Sequence, residues 1–288
     1  MKILTLDEAI EKVPAIMTET PSPRASARYS FFSTRNVVER ALSSGWHIVE
    51  AKGARVRGSG SKYGAHSVRF IHESQRQTLD SSATLEGFPT INLINSHDLT
   101  KKLTMAIGYY RLICSNGLIA PSGMANSVNS RHNFNEEKSD VLLNSIDRVF
   151  EQYSVITNQI NDFRQRELSD LECDALSKFA KRIRFRFRPS APAKLDHNLF
   201  LRPRRPLDNG KDLWRVFNVI QENVTHGGEG MGKGITRFQD DLRFNTEMWT
   251  GAAKALSFRG SNLEDELNRL FVKKSRDKGN SFDVASNN

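Results

Sequence analysis

Between Trp46 and Asn95 apolar and polar residues alternate in short runs, whereas beyond Asn135 apolar residues recur every three to five positions. This change of period constrains the fold more than any other feature, because a sheet face repeats every two residues and a helix face every ~3.6. WHIVEAKGARVR (46–57) predicts a first strand with a bulge at Gly53, and GSGSKYG (58–64) a turn. AHSVRFIHE (65–73) and FPTINLIN (88–95) predict two further strands. Upstream, Thr34 is placed to cap a helix over 35–44, with Val37, Val38, Ala41 and Leu42 on one face and Gly45 just past its end. Downstream, the spacing of Leu103, Ile107, Tyr110 and Cys114 predicts a helix from about Leu99 to Cys114, capped by Ser96 or Asp98. The expected first half is α-β-β-β-α, an antiparallel β-meander with packed helices in an α+β protein.

The second half is expected to be mainly helical. Val141, Ile146, Val149, Tyr153, Ile156, Ile160 and Phe163 mark one long amphipathic helix. Further helices are predicted over 170–185, 213–224 and 238–257, and after a Ser261/Glu264 capping box. Four prolines make 186–210 a basic Pro-rich loop. The alternation in IRFRFR also allows a basic edge strand, with Arg184, Arg186 and Arg188 opposite Ile183, Phe185 and Phe187. The expected organisation is a leader helix and linker (1–27), an α+β core (28–134), a helical region (135–275) and a disordered tail (276–288).

With 288 residues the chain can bury a core without disulfides or structural metal. Cys114 and Cys173 are too few for a disulfide framework or a four-cysteine zinc site. No apolar run approaches the ~20 residues of a membrane span, and MKILTLDEAIEKV lacks the apolar stretch of a signal peptide. The expectation is a cytoplasmic protein without membrane contact, cofactor or metal.

The net charge is +9, and the cationic excess lies in two blocks, +7 over residues 24–76 and +7 over 181–210, against −5 over the rest of the chain. Concentrated basic blocks favour a polyanionic partner, since each phosphate contact releases counterions. Arg55, Arg57 and Arg69 on the first two strands, with Lys101 and Lys102 after the third, are the expected phosphate contacts, and Trp46 or Tyr63 the stacking aromatic. Arg184, Arg186, Arg188, Arg204 and Arg205 form the second expected contact set.

Three motifs point to enzymes and each falls short. Gly227, Gly232 and Lys233 match part of a P-loop, but Gly234 replaces the Mg²⁺-binding hydroxyl and a helix precedes where a strand is needed. Glu50-Ala51-Lys52 matches the tail of a Mg²⁺-dependent nuclease site, yet the one acidic residue upstream in that domain, Glu39, is on a helix. His97-Asp98 has no nucleophile in a recognisable elbow nearby. His66, His72, His97 and His132 lack metal-ligand spacing.

RYSFFSTRNVVERALSSGWHIVEA (28–51), FPTINLINSHDLTKKLTMAIGYYRLICSNGLI (88–119) and LRPRRPLDNGKDLWRVFNVIQENVTHGG (201–228) resemble the phage/plasmid-like protein family. This is the domain of unknown function 932, with its prophage YfjQ/YafZ-type members. The most specific pieces are Asn95-Ser96-His97-Asp98 and the run Arg111–Leu118, which includes Asn116 and Gly117. One departure is Leu99-Thr100, where a Gly-Thr/Ser pair is common in the family. The resemblance implies an origin in a mobile element and no defined chemistry. The α-β-β-β-α order is in turn similar to the core of the single-strand annealing proteins, which oligomerise and hold ssDNA in a positive groove. The resulting expectation is a non-enzymatic, homo-oligomeric, single-stranded-DNA annealing or recombination factor in a bacterial host. A protein that inhibits a host defence complex and a Mg²⁺-dependent nuclease are the alternatives.

Overall fold

The structure is a computed structural model that describes residues 2–26, 29, 31–54, 62–75, 87–101, 103–111, 116–119, 129–130, 153–186, 195–236 and 238–279. It is α+β, with an antiparallel sheet in the N-terminal part and helices in the C-terminal part. The chain forms two units, one of residues 1–158 with 237–242 and one of 159–236 with 243–288.

In the first unit, β1 (Trp46–Gly53), β2 (His66–His72), β3 (Phe88–Asn95), β4 (Leu103–Arg111) and β5 (Asn116–Ile119) pair in chain order, all antiparallel. A short β6 (Asn129–Ser130) adds to the start of β4. The register aligns Phe70 with Ile91 and Val68 with Leu93, and Leu93 in turn with Met105, so the middle of one face of β2 to β4 is apolar and buried. Helices α1 (Leu6–Lys12) and α2 (Thr34–Ser43) pack on β1. Thr5 opens α1 with a capping box through Glu8, and Ser33 caps α2.

Three expectations are corrected here. Thr34 is not the cap of α2 but its first residue, which releases its side chain inward. The irregularity in β1 falls between Ile48 and Glu50 rather than at Gly53. The helix expected over 99–114 is instead the strand β4. Leu103, Met105, Ile107 and Tyr109 repeat every second residue, and pairing with β3 on one side and β5 on the other selects that period over the helical one. The α-β-β-β-α order is therefore not kept, and the likeness to annealing proteins drawn from that order loses its closing helix.

The leader is part of this unit. Leu4 N–H bonds to Ile48 O at 2.8 Å, Ser22 N–H bonds to His97 O at 2.9 Å, and Ala15 and Ile16 are buried.

The second unit is built on helices α3 (Tyr153–Gln165), whose last seven residues belong here, α4 (Asp170–Phe185), α5 (Leu213–His226), α6 (Phe238–Ser257), which belongs here from Arg243 onward, and α7 (Gly260–Gly279). Phe163, Phe217 and Trp249 share a fully buried aromatic centre, with Phe163 and Trp249 rings 4.8 Å apart. Residues 136–152 of the expected long helix lie outside the described residues. Gly227–Gly228 (β7) and Gly232–Lys233 (β8) form a small hairpin directly after α5, so a helix leads into the glycine run. Residues 276–279, expected in a disordered tail, continue α7.

Candidate functional site

In an antiparallel meander the β1–β2 and β3–β4 connections lie at the same end of the sheet, and here they are joined. Ala54 N–H bonds to Ala65 O at 2.7 Å and closes the base of the first connection. His97 N–H bonds to Tyr63 O at 2.8 Å and ties the second connection to it. The Thr18 hydroxyl donates to Lys62 O, which draws the leader onto the same end. Exposed Lys62 and half-buried Tyr63 lie in the first connection and half-buried Lys101 in the second, and Ser22 N–H, two residues before exposed Arg24, bonds to His97 O. Arg55, Arg57 and Lys102 belong to these connections by sequence but lie outside the described residues.

Beneath this end sits a fully buried polar cluster of Thr34, His66, Asn95, Ser96 and His97. His66 Nδ1 is 2.9 Å from Gly64 O, and a carbonyl only accepts, so Nδ1 carries the proton and Nε2 is an acceptor. The Thr34 hydroxyl donates to that Nε2 at 2.8 Å and accepts from Asn95 Nδ2 at 3.0 Å. His97 Nε2 donates to Ala15 O at 3.1 Å. Burial lowers the His66 pKa, against the opposing influence of Gly64 O and Asp98, so the ring stays neutral. Burial together with the Asp98 charge pushes the Tyr29 hydroxyl up to about 12, and it donates to Ser96 O. With no exposure at Thr34 or either imidazole, a substrate has no access. The cluster joins the leader, α2, β2 and β3, and its chemistry is structural.

Asp98 is outside the cluster. Its Oδ1 accepts from Thr100 N–H at 3.1 Å and from the Thr100 hydroxyl at 2.6 Å, which stabilises the turn into β4. Leu99 within that turn has φ 69°, a conformation that favours glycine. The other family segment lies elsewhere. Arg111 pairs with Asn116 and Tyr110 with Gly117 where β4 turns into β5, at the opposite end of β4 from Asn95–Asp98. The described residues of the two motif segments lie at opposite ends of β4.

Several expected phosphate contacts are committed inside the protein. Arg69 is buried, with its guanidinium 2.8 Å from Glu50 and bonded to Asn92 at 3.0 Å. Burial would raise the Glu50 carboxyl, but Arg69 and Lys52 outweigh it and hold it below the usual range. The register thus sets a guanidinium, not a second carboxylate, opposite Glu50, so the nuclease reading lacks its partner acid there. Trp46 is buried against His72. Arg186 forms a buried pair with Glu247 at 2.8 Å and lies over the Phe271 ring. Arg205 pairs with Glu222, Arg204 bonds to Asn223 and Gly227 O, and Arg184 bonds to Lys233 O. For Arg186, Arg204 and Arg205 the acceptors Glu247, Asn223, Gly227 and Glu222 are buried, and a buried carboxylate or carbonyl left unpaired is costly. Arg188 lies outside the described residues. Lys62 and Arg24, which carry the basic end, stand next to a Gly/Ser run and a Pro/Ser run, and only the joining of the connections singles them out. Thr34 and His66 were legible only as a helix cap and a strand residue.

Among the described residues no group of His, Cys, Asp and Glu is arranged to hold a metal, and no helix is long and apolar enough to cross a membrane.

An N-terminal antiparallel sheet with two joined connections, followed by a helical unit, defines an α+β protein. Residues 24–251 match the family described as Domain of unknown function (DUF932), and the chain belongs to it. UPF0380 protein YafZ of Escherichia coli (strain K12) is 27% identical over 268 residues, covering 88% of this chain and 92% of that protein. UPF0380 protein YfjQ of the same strain is 26% identical over 268 residues with the same coverage. No solved structure matches the chain.

Proposed function

We propose that this chain is a non-enzymatic nucleic-acid-binding protein of a mobile element, and that it holds a single strand across the joined end of its sheet. The observation that supports the reading is the His97 N–H bond to Tyr63 O, which ties the connection that carries Lys101 to the one that carries Lys62 and Tyr63, while Ser22 N–H, two residues before Arg24, bonds to His97 O. Basic side chains around a half-exposed aromatic suit single strands, whose bases stack while ammonium and guanidinium groups follow the phosphates. Arg55, Arg57 and Lys102 add three cations to the same two connections by sequence. Recombination or annealing of complementary strands is the activity such binding would serve.

The test is binding to labelled single- and double-stranded oligonucleotides across a salt series, followed by annealing of complementary strands. Preference for single strands with a steep salt dependence supports the reading. Equal, weak binding that disappears at physiological salt overturns it and leaves the basic end as a surface for an acidic protein partner. Mg²⁺-dependent cleavage of the probe, lost in Glu50→Gln, would replace it with the nuclease.

A further inference from the structure

The second unit contains a cavity of about 380 Å³ that no role described above uses. Its size lies in the range of small-molecule sites, roughly 300–1,000 Å³. The inner wall is apolar and buried, formed by Val216 and Val219 of α5 and Cys173 of α4, and half-buried Leu201 and exposed Pro203 continue it towards the opening. Burial, reinforced by Asp170, pushes the Cys173 thiol up to about 11, so at neutral pH it is an uncharged part of that wall.

The outer part differs in kind. Asp170 and Lys211 both line it, with Lys211 Nζ 2.7 Å from Asp170 Oδ1 and side chains 87% and 56% exposed. An ion pair this exposed contributes little to folding, so its two charges can be redirected at small cost. A ligand carrying a single charge would be attracted by one of these groups and repelled by the other. A ligand carrying an ammonium and a carboxylate on one carbon meets both favourably, the ammonium at Asp170 and the carboxylate at Lys211. An apolar body attached to that head fills the space between Val216, Val219 and Leu201.

We infer that this cavity is a binding site for a small zwitterion with an apolar body, of the chemical class of the aliphatic and aromatic α-amino acids. The inference is independent of the nucleic-acid reading, because the site lies within the helical unit and uses none of the same residues.

Cys173 reports occupancy directly. In a Cys114→Ser background, the rate of Cys173 modification by methyl methanethiosulfonate, a small uncharged reagent, is followed by mass. L-leucine and L-phenylalanine should slow it in a saturable way. Isopentylamine and 4-methylvalerate, which each keep the body and one charge, should protect at least about tenfold less well, since each lacks one charge-assisted contact. Lys211→Gln should weaken the amino acids and leave isopentylamine unweakened. Titration calorimetry on the unmodified protein gives the same ranking should the Cys114→Ser variant fold poorly. Absence of both protection and heat with the amino acids overturns the inference. Equal protection by the single-charge analogues, or amino-acid binding unaffected by Lys211→Gln, also overturns it.

Discussion

The hydroxyl of Thr34, the first residue of α2, lies 2.8 Å from Nε2 of His66, the first residue of β2, and neither side chain is exposed. This pair, with Asn95 and His97, fastens helix, sheet and leader at one point. Thr34→Val keeps the shape and removes the hydroxyl, leaving the His66 acceptor without its donor. The expected loss is about 2 kcal/mol, the cost of stranding a buried polar group. Urea unfolding of the variant against the parent measures it.

The same cluster gives stability a pH dependence. His66 has a folded pKa below its ordinary value of 6.5, so the unfolded chain takes up a proton that the folded one refuses. Stability is then full above about pH 6.5 and falls as the pH drops below it, towards the lowered folded pKa. Replacing His66 by Gln should flatten this part of the curve of unfolding free energy against pH. An unchanged slope would place the titrating group elsewhere.

A second acidic window belongs to Glu172. Burial would raise its carboxyl, but the backbone N–H groups of Ser169 and Gly260 and the Arg166 guanidinium bring it down to about 2. Its contribution is full above pH 4.5 and is lost as the pH falls through 2, on the order of 3 kcal/mol in all. Glu172→Gln should cost a similar ~3–5 kcal/mol at neutral pH, because Arg166 is left buried without its partner charge. Thermal unfolding at two pH values separates the effect from that of His66.

Leu99 adopts φ 69° and is 48% exposed, so it carries left-handed strain with little packing in return. Leu99→Gly should stabilise the protein by about 1 kcal/mol or slightly less, since relief of the strain outweighs the added freedom of the unfolded chain. A loss of stability in chemical denaturation would show that the leucine side chain contributes more than its exposure implies.

Gly251 sets two general effects against each other. In an exposed helix interior Gly→Ala is favourable by about 1 kcal/mol. Here a Cβ at Gly251 would stand 2.4 Å from Cε1 of Phe179, which is 2% exposed and has no room to retreat. Gly251→Ala should therefore destabilise, by about 1–3 kcal/mol, the usual cost of overpacking. The sign of the change in the unfolding midpoint decides between propensity and packing.

The sheet strands β1 to β3 and the helices α4 and α6 were legible because their apolar residues fit one period only. Strand β4 was not, because Leu103 and Ile107 serve a helical and a strand period equally, and the neighbours that decide are far away in sequence. The basic surface was partly legible. Lys101 and Tyr63 stand out by residue type, but nothing local distinguishes them from Arg69, Arg186 or Arg205. Those arginines differ only in that Glu50, Glu247 and Glu222 reach them in the folded chain. Charge runs reveal where cations are, and only tertiary structure reveals which are already committed.

The most direct test of the nucleic-acid account is a salt series of affinity for a labelled oligothymidylate, comparing the parent with Lys62→Glu/Lys101→Glu. Lys233→Glu/Arg259→Glu, with the same change of net charge in the helical unit, serves as control. The account predicts that the first pair weakens binding and flattens the slope of log affinity against log salt by about 1.4, ~0.7 for each lost phosphate contact. The control should keep the parent slope. Parallel lines for parent and Lys62→Glu/Lys101→Glu, or equal flattening by the control, would contradict a site at the joined end of the sheet.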